Sequence, residues 1–153
     1  KFAPQSYAKV TAEAPILTQS LRINFYPNSY DLNEKARDAY GVVLEDQLYD
    51  PYIDQTLERA GRLAGQFDAA VIAITGHTDS SMKGSVPEES VRELSEQRAN
   101  AVADRIIEKY EFDRNKFVIK GVGWEQPSDP DDPMNQYLNR RVEIAVYPPE
   151  KQE

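Results

Sequence analysis

The succession of hydrophobic patterns along this chain predicts one α/β domain organised around a mixed, four-stranded sheet. Two observations carry the expectation. Short runs with the two-residue period of strands are separated by longer stretches of three- and four-residue spacing, the signature of helices crossing over a sheet. The length, 153 residues, suits one domain that buries a core without covalent staples, and the sequence has no Cys to make them.

Each element has its own reason. Residues 1–14 follow neither period and Pro4 and Pro15 bracket them, so residues 1–18 read as a linker or the tail of an upstream segment. The first residue is Lys1, as in a processed protein or an excised domain. Leu21 to Phe25 alternates apolar and polar residues and is expected to be the first strand, ended by Pro27, Asn28 and Ser29. Between Leu32 and Asp50 a helix is expected only over Asn33 to Tyr40, because Gly41 and two β-branched residues weaken the pattern beyond it. Ile53, Leu57, Ala60, Leu63 and Ala64 share one face of a second helix over Tyr52 to Gln66. Ala69 to Thr75 is a short apolar run, the mark of a covered central strand.

Ser85, Pro87 and Glu88 compose a helix start, with Ser85 as the cap, and helical spacing then continues to Tyr110. Val91, Leu94, Ala101, Val102 and Ile106 form its expected buried stripe, with Arg98 set inside the row. Phe117 to Gly123 and Arg141 to Tyr147 supply two more strands, separated by a polar loop from Trp124 to Asn139, and residues 150–153 are a charged tail. Strands joined through helices run parallel by right-handed crossover, so the first three strands should end at one edge. The last follows a helix-free connection and should run antiparallel, starting at that edge. Asn28, His77 to Asp79, Trp124 and Arg140 are then expected to converge where open α/β sheets bind ligands.

Composition narrows the chemistry. With 18 Lys and Arg against 26 Asp and Glu, the formal charge is −8, which argues against nucleic acid as a partner. One His and no Cys exclude zinc fingers, iron–sulfur clusters, thiolate nucleophiles and multi-histidine metal sites. No run reaches the roughly 18 apolar residues of a membrane helix, and the N-terminus lacks the basic flank and apolar stretch of a signal peptide. No cofactor, no metal and no membrane contact by this fragment itself are therefore expected. The Asp129-Pro130-Asp131-Asp132-Pro133 run has Met134 and Arg140 where a calcium loop needs Gly and Glu. Gly121 and Gly123 are a fragment of a phosphate loop without its third Gly or its Lys.

His77 near Asp79 suggests a catalytic base, but near neighbours on a chain point apart and no nucleophile turn accompanies them, so a turn hydrogen bond is the simpler role. Asp79 either shapes the local turn or offers a fixed carboxylate to a ligand amine. Arg98 either buries its stem while its head reaches water, or holds out a planar fork for a carboxylate. The two together would complement a zwitterion, or would pair with each other. No pair of acids is set apart as a hydrolytic couple, and no enzyme is expected.

Four segments go further. Ile74-Thr75-Gly76-His77-Thr78-Asp79, Leu94-Ser95-Glu96-Gln97-Arg98-Ala99, Gly121-Val122-Gly123-Trp124-Glu125-Gln126-Pro127 and Asn139-Arg140-Arg141-Val142-Glu143-Ile144 resemble, in order, the four signatures of the OmpA-like C-terminal domain. That peptidoglycan-binding module is also seen in the peptidoglycan-associated lipoprotein and flagellar stator MotB proteins. The resemblance covers roughly Leu21 to Tyr147 and places the domain at residues 19–149. It implies a two-layer α+β fold, β-α-β-α-β-β, with helices packed on one face of a mixed four-stranded sheet. It also implies non-catalytic binding of the diaminopimelate of the peptidoglycan stem peptide, anchoring an attached protein or membrane to the wall. On that resemblance Asp79 would meet the diaminopimelate amino group, Arg98 its carboxylate, Arg140 and Asn28 would flank the ligand, and Thr78 and Leu94 would line the pocket. The implied location is the periplasm and cell envelope of a Gram-negative-type bacterium, outer-membrane associated or tethered. Two departures stand out: Val91 where the family commonly has Asn, and longer segments at Ser80 to Glu89 and before Tyr52. They prompt an alternative, an OmpA-like fold kept as a protein-interaction or dimerisation module, a homodimer with weak or no peptidoglycan binding. A wall hydrolase ranks below both.

Overall fold

A computed structural model describes residues 15, 17–26, 28–66, 71–127, 131–132 and 139–147. The expected linker up to residue 14, the start of the Ala69 run, Asp129 and Pro130, and the tail at 150–153 lie outside the described residues. The elements are β1 (Leu17–Leu21), β2 (Lys35–Arg37), β3 (Val43–Leu48), α1 (Ile53–Gln66), β4 (Val71–His77), α2 (Glu88–Tyr110), β5 (Phe117–Gly121) and β6 (Arg141–Tyr147). The main sheet has the order β1-β6-β4-β5, with β4 and β5 parallel and β6 antiparallel to both β1 and β4. This is the mixed four-stranded α+β architecture that the sequence predicts. Leu21, Val142, Gly76 and Gly121 form one row across the sheet, so β1, β4 and β5 end together and β6 begins beside them.

Ile72, Ile74, Phe117, Ile119, Val142, Ile144 and Val146 project from the sheet into one core with Leu57, Ala60 and Ala64 of α1 and Ala99, Val102, Ala103 and Ile106 of α2. Both helices therefore cover the same face. Contact between α2 and the sheet is closest at two glycines. A Cβ on Gly76 would lie 2.0 Å from the Ser95 carbonyl oxygen, and one on Gly121 would lie 2.3 Å from the Glu96 nitrogen.

Four expectations are corrected. The first strand is Leu17–Leu21, so it begins inside the segment read as linker, and Leu21 to Phe25 is not a strand. The alternation there is real, with Leu21 and Ile23 buried. But the ladder with β6 ends at the Leu21–Val142 pair, and among the described residues no partner strand continues it. The helix expected over Asn33 to Tyr40 is instead half of the β2–β3 hairpin. Asp38 decides this: its Oδ1 accepts from the Tyr40 and Val42 amides at 2.8 and 3.0 Å, and Gly41 sits at φ +82, where an L side chain is strained. Ser85 does not cap α2. Its amide donates to the Met82 carbonyl at 3.0 Å within a turn, and the capping position falls to extended Pro87 with no side-chain bond. Finally, the buried stripe of α2 is Val91, Ser95, Ala99, Val102, Ala103 and Ile106, with Asn100 also buried. Leu94, Arg98 and Ala101 fall on its flank, half-buried.

Candidate functional site

Immediately beyond the row of strand ends lies a cleft of about 310 Å³. The Ile23–Phe25 segment forms one wall, α2 another, and the turns after β4 and before β6 close it. All six residues named as a site from the sequence line it: Asn28, Thr78, Asp79, Leu94, Arg98 and Arg140. His77 lines it too, whereas Trp124, expected at the same edge, does not. The topology explains the convergence. β4 delivers Thr78 and Asp79, β6 starts directly after Arg140, and the glycine contacts press α2 onto the sheet so that Leu94 and Arg98 overhang its end.

Arg98 is positioned by backbone. Its Nε donates to the Ser29 carbonyl at 2.9 Å and its Nη2 to the Tyr26 carbonyl at 3.3 Å, while the guanidinium lies 4.8 Å from the Phe25 ring centre. Burial lowers its pKa to about 10, with Asp79 opposing the shift and Arg140 adding to it. The group stays cationic at neutral pH. Asn28, at φ 61, adopts the left-handed conformation that Asn tolerates better than most residues.

Asp79 is 11% exposed along its side chain. Its Oδ1 accepts from the amide and hydroxyl of Ser81, at 2.9 and 2.5 Å, and its Oδ2 meets Arg140 Nε at 3.2 Å. Asp79 thus shapes the turn, and it also lines the cleft. Its direct partner is Arg140, so Asp79 and Arg98 are not a closed pair. The cleft presents a carboxylate flanked by two guanidinium groups over a partly apolar floor of Leu94, Val91 and Val142. Buried Thr78 also faces this space, and its Oγ1 has no hydrogen-bond partner among the described residues.

His77 does not pair with Asp79. It alternates with Gly76, which faces α2, and so projects to the opposite side of the sheet, where Glu143 Oε1 lies 3.7 Å from its Nε2. The Glu143 carboxyl falls to about 2 from its ordinary 4.5, chiefly through His77 and also through Arg141, whose Nε is 2.7 Å away; partial burial pulls the other way. A carboxyl lowered by folding stabilises the fold above its ordinary pKa, and that contribution is lost as pH falls from about 4.5 toward 2. Glu143→Gln is therefore expected to lower stability at neutral pH and to flatten the acid limb of the unfolding curve across that window, read by circular dichroism. An unchanged acid limb would remove Glu143 from the account.

Sequence reasoning missed Phe25, Tyr49, Met82 and Ser81 as cleft residues. Phe25 was legible as the end of an alternating run. Tyr49 was not, since it reaches the cleft only because the β2–β3 hairpin folds back, its amide donating to the Glu34 carbonyl at 2.8 Å.

The fold and the cleft at its strand ends define an OmpA-like domain. The family model described as the OmpA family matches residues 24–141, and this chain belongs to that family. It is 28% identical over 147 residues to outer membrane protein Omp38 of Acinetobacter baumannii, an alignment covering 95% of this chain and 36% of that protein. The chain thus spans about a third of the length of the curated relatives it matches. Among solved structures, the cell wall anchor of the T6SS from Pseudomonas aeruginosa shares the fold at a TM-score of 0.56 and 20% identity, covering 86% of this chain and 81% of that one. The peptidoglycan-associated lipoprotein of Burkholderia pseudomallei does so at 0.54 and 19%, covering 83% and 88%.

Proposed function

We propose that this domain binds peptidoglycan without catalysis, by gripping the diaminopimelate of the stem peptide, and so anchors to the cell wall whatever it is attached to. The observation that carries the reading is the placement of Asp79 and Arg98 in one cleft, each held by groups other than the other. The free end of diaminopimelate carries an ammonium and a carboxylate on one carbon. Asp79 takes the ammonium, and Arg98, with Arg140 beside it, takes the carboxylate. Asn28, Thr78 and Leu94 complete the walls. Membership of the OmpA family supports the reading, as do fold relatives that include a cell wall anchor and a peptidoglycan-associated lipoprotein. The setting it requires is the periplasmic side of a Gram-negative-type envelope.

The net charge of −8 provides no long-range steering to an anionic polymer, so local complementarity must supply the affinity. Many equivalent sites along the wall then convert modest single-site affinity into retention. The test is to pellet the chain with purified sacculi of two kinds. Retention on diaminopimelate-type sacculi is expected, with much weaker retention on lysine-type sacculi, because lysine has the amine but lacks the carboxylate that Arg98 needs. A folded chain that stays in the supernatant with both overturns the reading. One observation favours a second reading, an assembly module: Tyr40, Val42 and Val43 are exposed on the β2–β3 hairpin, Tyr40 at 93%. A dimer by light scattering, together with no sacculus binding, would select it.

A further inference from the structure

Tyr49 joins the cleft lining as part of an aromatic stack. The rings of Tyr26 and Tyr49 lie 3.8 Å apart with planes 20° from parallel. The Arg37 guanidinium lies 4.8 Å from the Tyr26 ring centre, on the face that Tyr49 leaves open. The Tyr26 hydroxyl accepts from the Arg37 amide at 2.9 Å, which fixes the plane of its ring, and the Tyr26 carbonyl is one of the two that hold Arg98. Tyr26 is thus filled on both faces. Tyr49 stacks on Tyr26, is 37% exposed, and lines the cleft.

The cleft lining also includes Asn24, whose backbone N–H donates to Asp50 Oδ2 at 3.0 Å, and Asn28. The Asn24 and Asn28 side chains are amides that both donate and accept hydrogen bonds. An immobilised aromatic face attracts positive partial charge, and the neutral amides among the cleft residues add hydrogen-bond partners. It suits a ring with polarised C–H bonds on one face and hydroxyl or acetamido groups at its edge, since the aromatic face carries the negative lobe of its quadrupole.

We infer that Tyr49 is a stacking platform for a pyranose ring of the wall glycan, making the cleft a reader of the sugar–peptide junction rather than of the stem peptide alone. This rests on the peptidoglycan reading above and extends it to a second chemical group. The stack is assembled before ligand arrives, so little side-chain freedom is lost on binding.

The experiment compares two ligands by calorimetry with the whole chain: a disaccharide–tetrapeptide containing diaminopimelate, and the same tetrapeptide freed of its sugars by an amidase. The wild type is expected to bind the sugar-bearing ligand more tightly. Tyr49→Leu, which keeps apolar bulk without a π-face, is expected to weaken that ligand roughly 2- to 10-fold and leave the free peptide unchanged. Tyr49→Phe keeps the ring and should behave as wild type, so a general loss of folding would not be mistaken for the effect. Equal wild-type affinity for the two ligands overturns the inference and leaves the peptide-binding function standing. Tyr49→Leu weakening both ligands alike, or neither, also overturns it. Binding of neither ligand by folded wild type removes both readings together.

Discussion

Asp79→Asn is expected to cut affinity for a diaminopimelate-containing muropeptide by roughly one to two orders of magnitude, the value of one hydrogen-bonded charge at about 1.5–3 kcal/mol. The substitution keeps the shape of the side chain, so the turn that Ser81 makes with it can persist while the charge disappears. Arg98→Ala should have at least as large an effect on binding, through two routes. It removes the carboxylate fork, and it frees the Tyr26 and Ser29 carbonyls together with the contact over Phe25, so the cleft wall at residues 25–29 loses its tether. Arg98→Lys separates the two. A lysine ammonium keeps the charge but has no planar fork able to serve two carbonyls and a ligand at once. Charge retention without affinity would identify the fork as the essential part. Calorimetry against the muropeptide reads all three variants, and circular dichroism reports whether each is folded. Wild-type affinity in folded Asp79→Asn would sink the zwitterion clamp.

Gly76→Ala is expected to cost this domain a large part of its stability. The new Cβ would meet the Ser95 carbonyl oxygen at 2.0 Å and the Ser95 carbonyl carbon at 2.8 Å. Both are backbone atoms of α2, so no rotamer change relieves the clash and the helix itself must lift from β4. Overpacking of a tight core costs about 1–3 kcal/mol and occasionally more. For a domain of this size each kcal/mol lowers Tm by roughly 2–4 °C. The displacement also carries Leu94 and Arg98 away from Asp79, so affinity should fall with stability. Gly41→Ala is the contrast. Nothing lies within 4 Å of its added Cβ, and only the left-handed φ of +82 opposes it, at about 1–2 kcal/mol. It lies on the hairpin, and muropeptide affinity should be unchanged. Thermal melts and titrations of the two variants should therefore diverge in binding even where they approach each other in Tm; equal behaviour in both measurements would show that α2 has slack over β4.

Ser95 shows why the helix register was only partly legible. The sequence-level stripe through Leu94 and Arg98 has the right period but is rotated by one residue, because Ser95, a polar residue, is fully buried. Its hydroxyl donates to the Arg92 carbonyl at 2.7 Å and accepts from the Gly123 amide at 3.0 Å, so it is satisfied where hydropathy would place an apolar side chain. The rotation changes the cleft. It takes Arg98 out of the core and puts it on the flank that overlooks the strand ends.

Periodicity sufficed to place α1, α2 and the antiparallel last strand, while the cleft residues Asn28, Thr78, Asp79, Leu94, Arg98 and Arg140 were named from the resemblance that four short motifs carry. The elements depend on local patterning and on chain-crossing rules that hold for any sequence of this kind. The β2–β3 hairpin rests on local chemistry that the helical spacing masked: the Asp38 side chain and Gly41 set a turn that outcompetes helix. Two matters were decided only by tertiary structure. The ladder of β1 stops at Leu21 because its pairing with β6 ends at Val142, close to where β6 begins. Tyr49 reaches the cleft because two segments separated in sequence stack their rings. In each case the deciding interaction joins residues that no local period relates, so only the folded chain determines which partner is present.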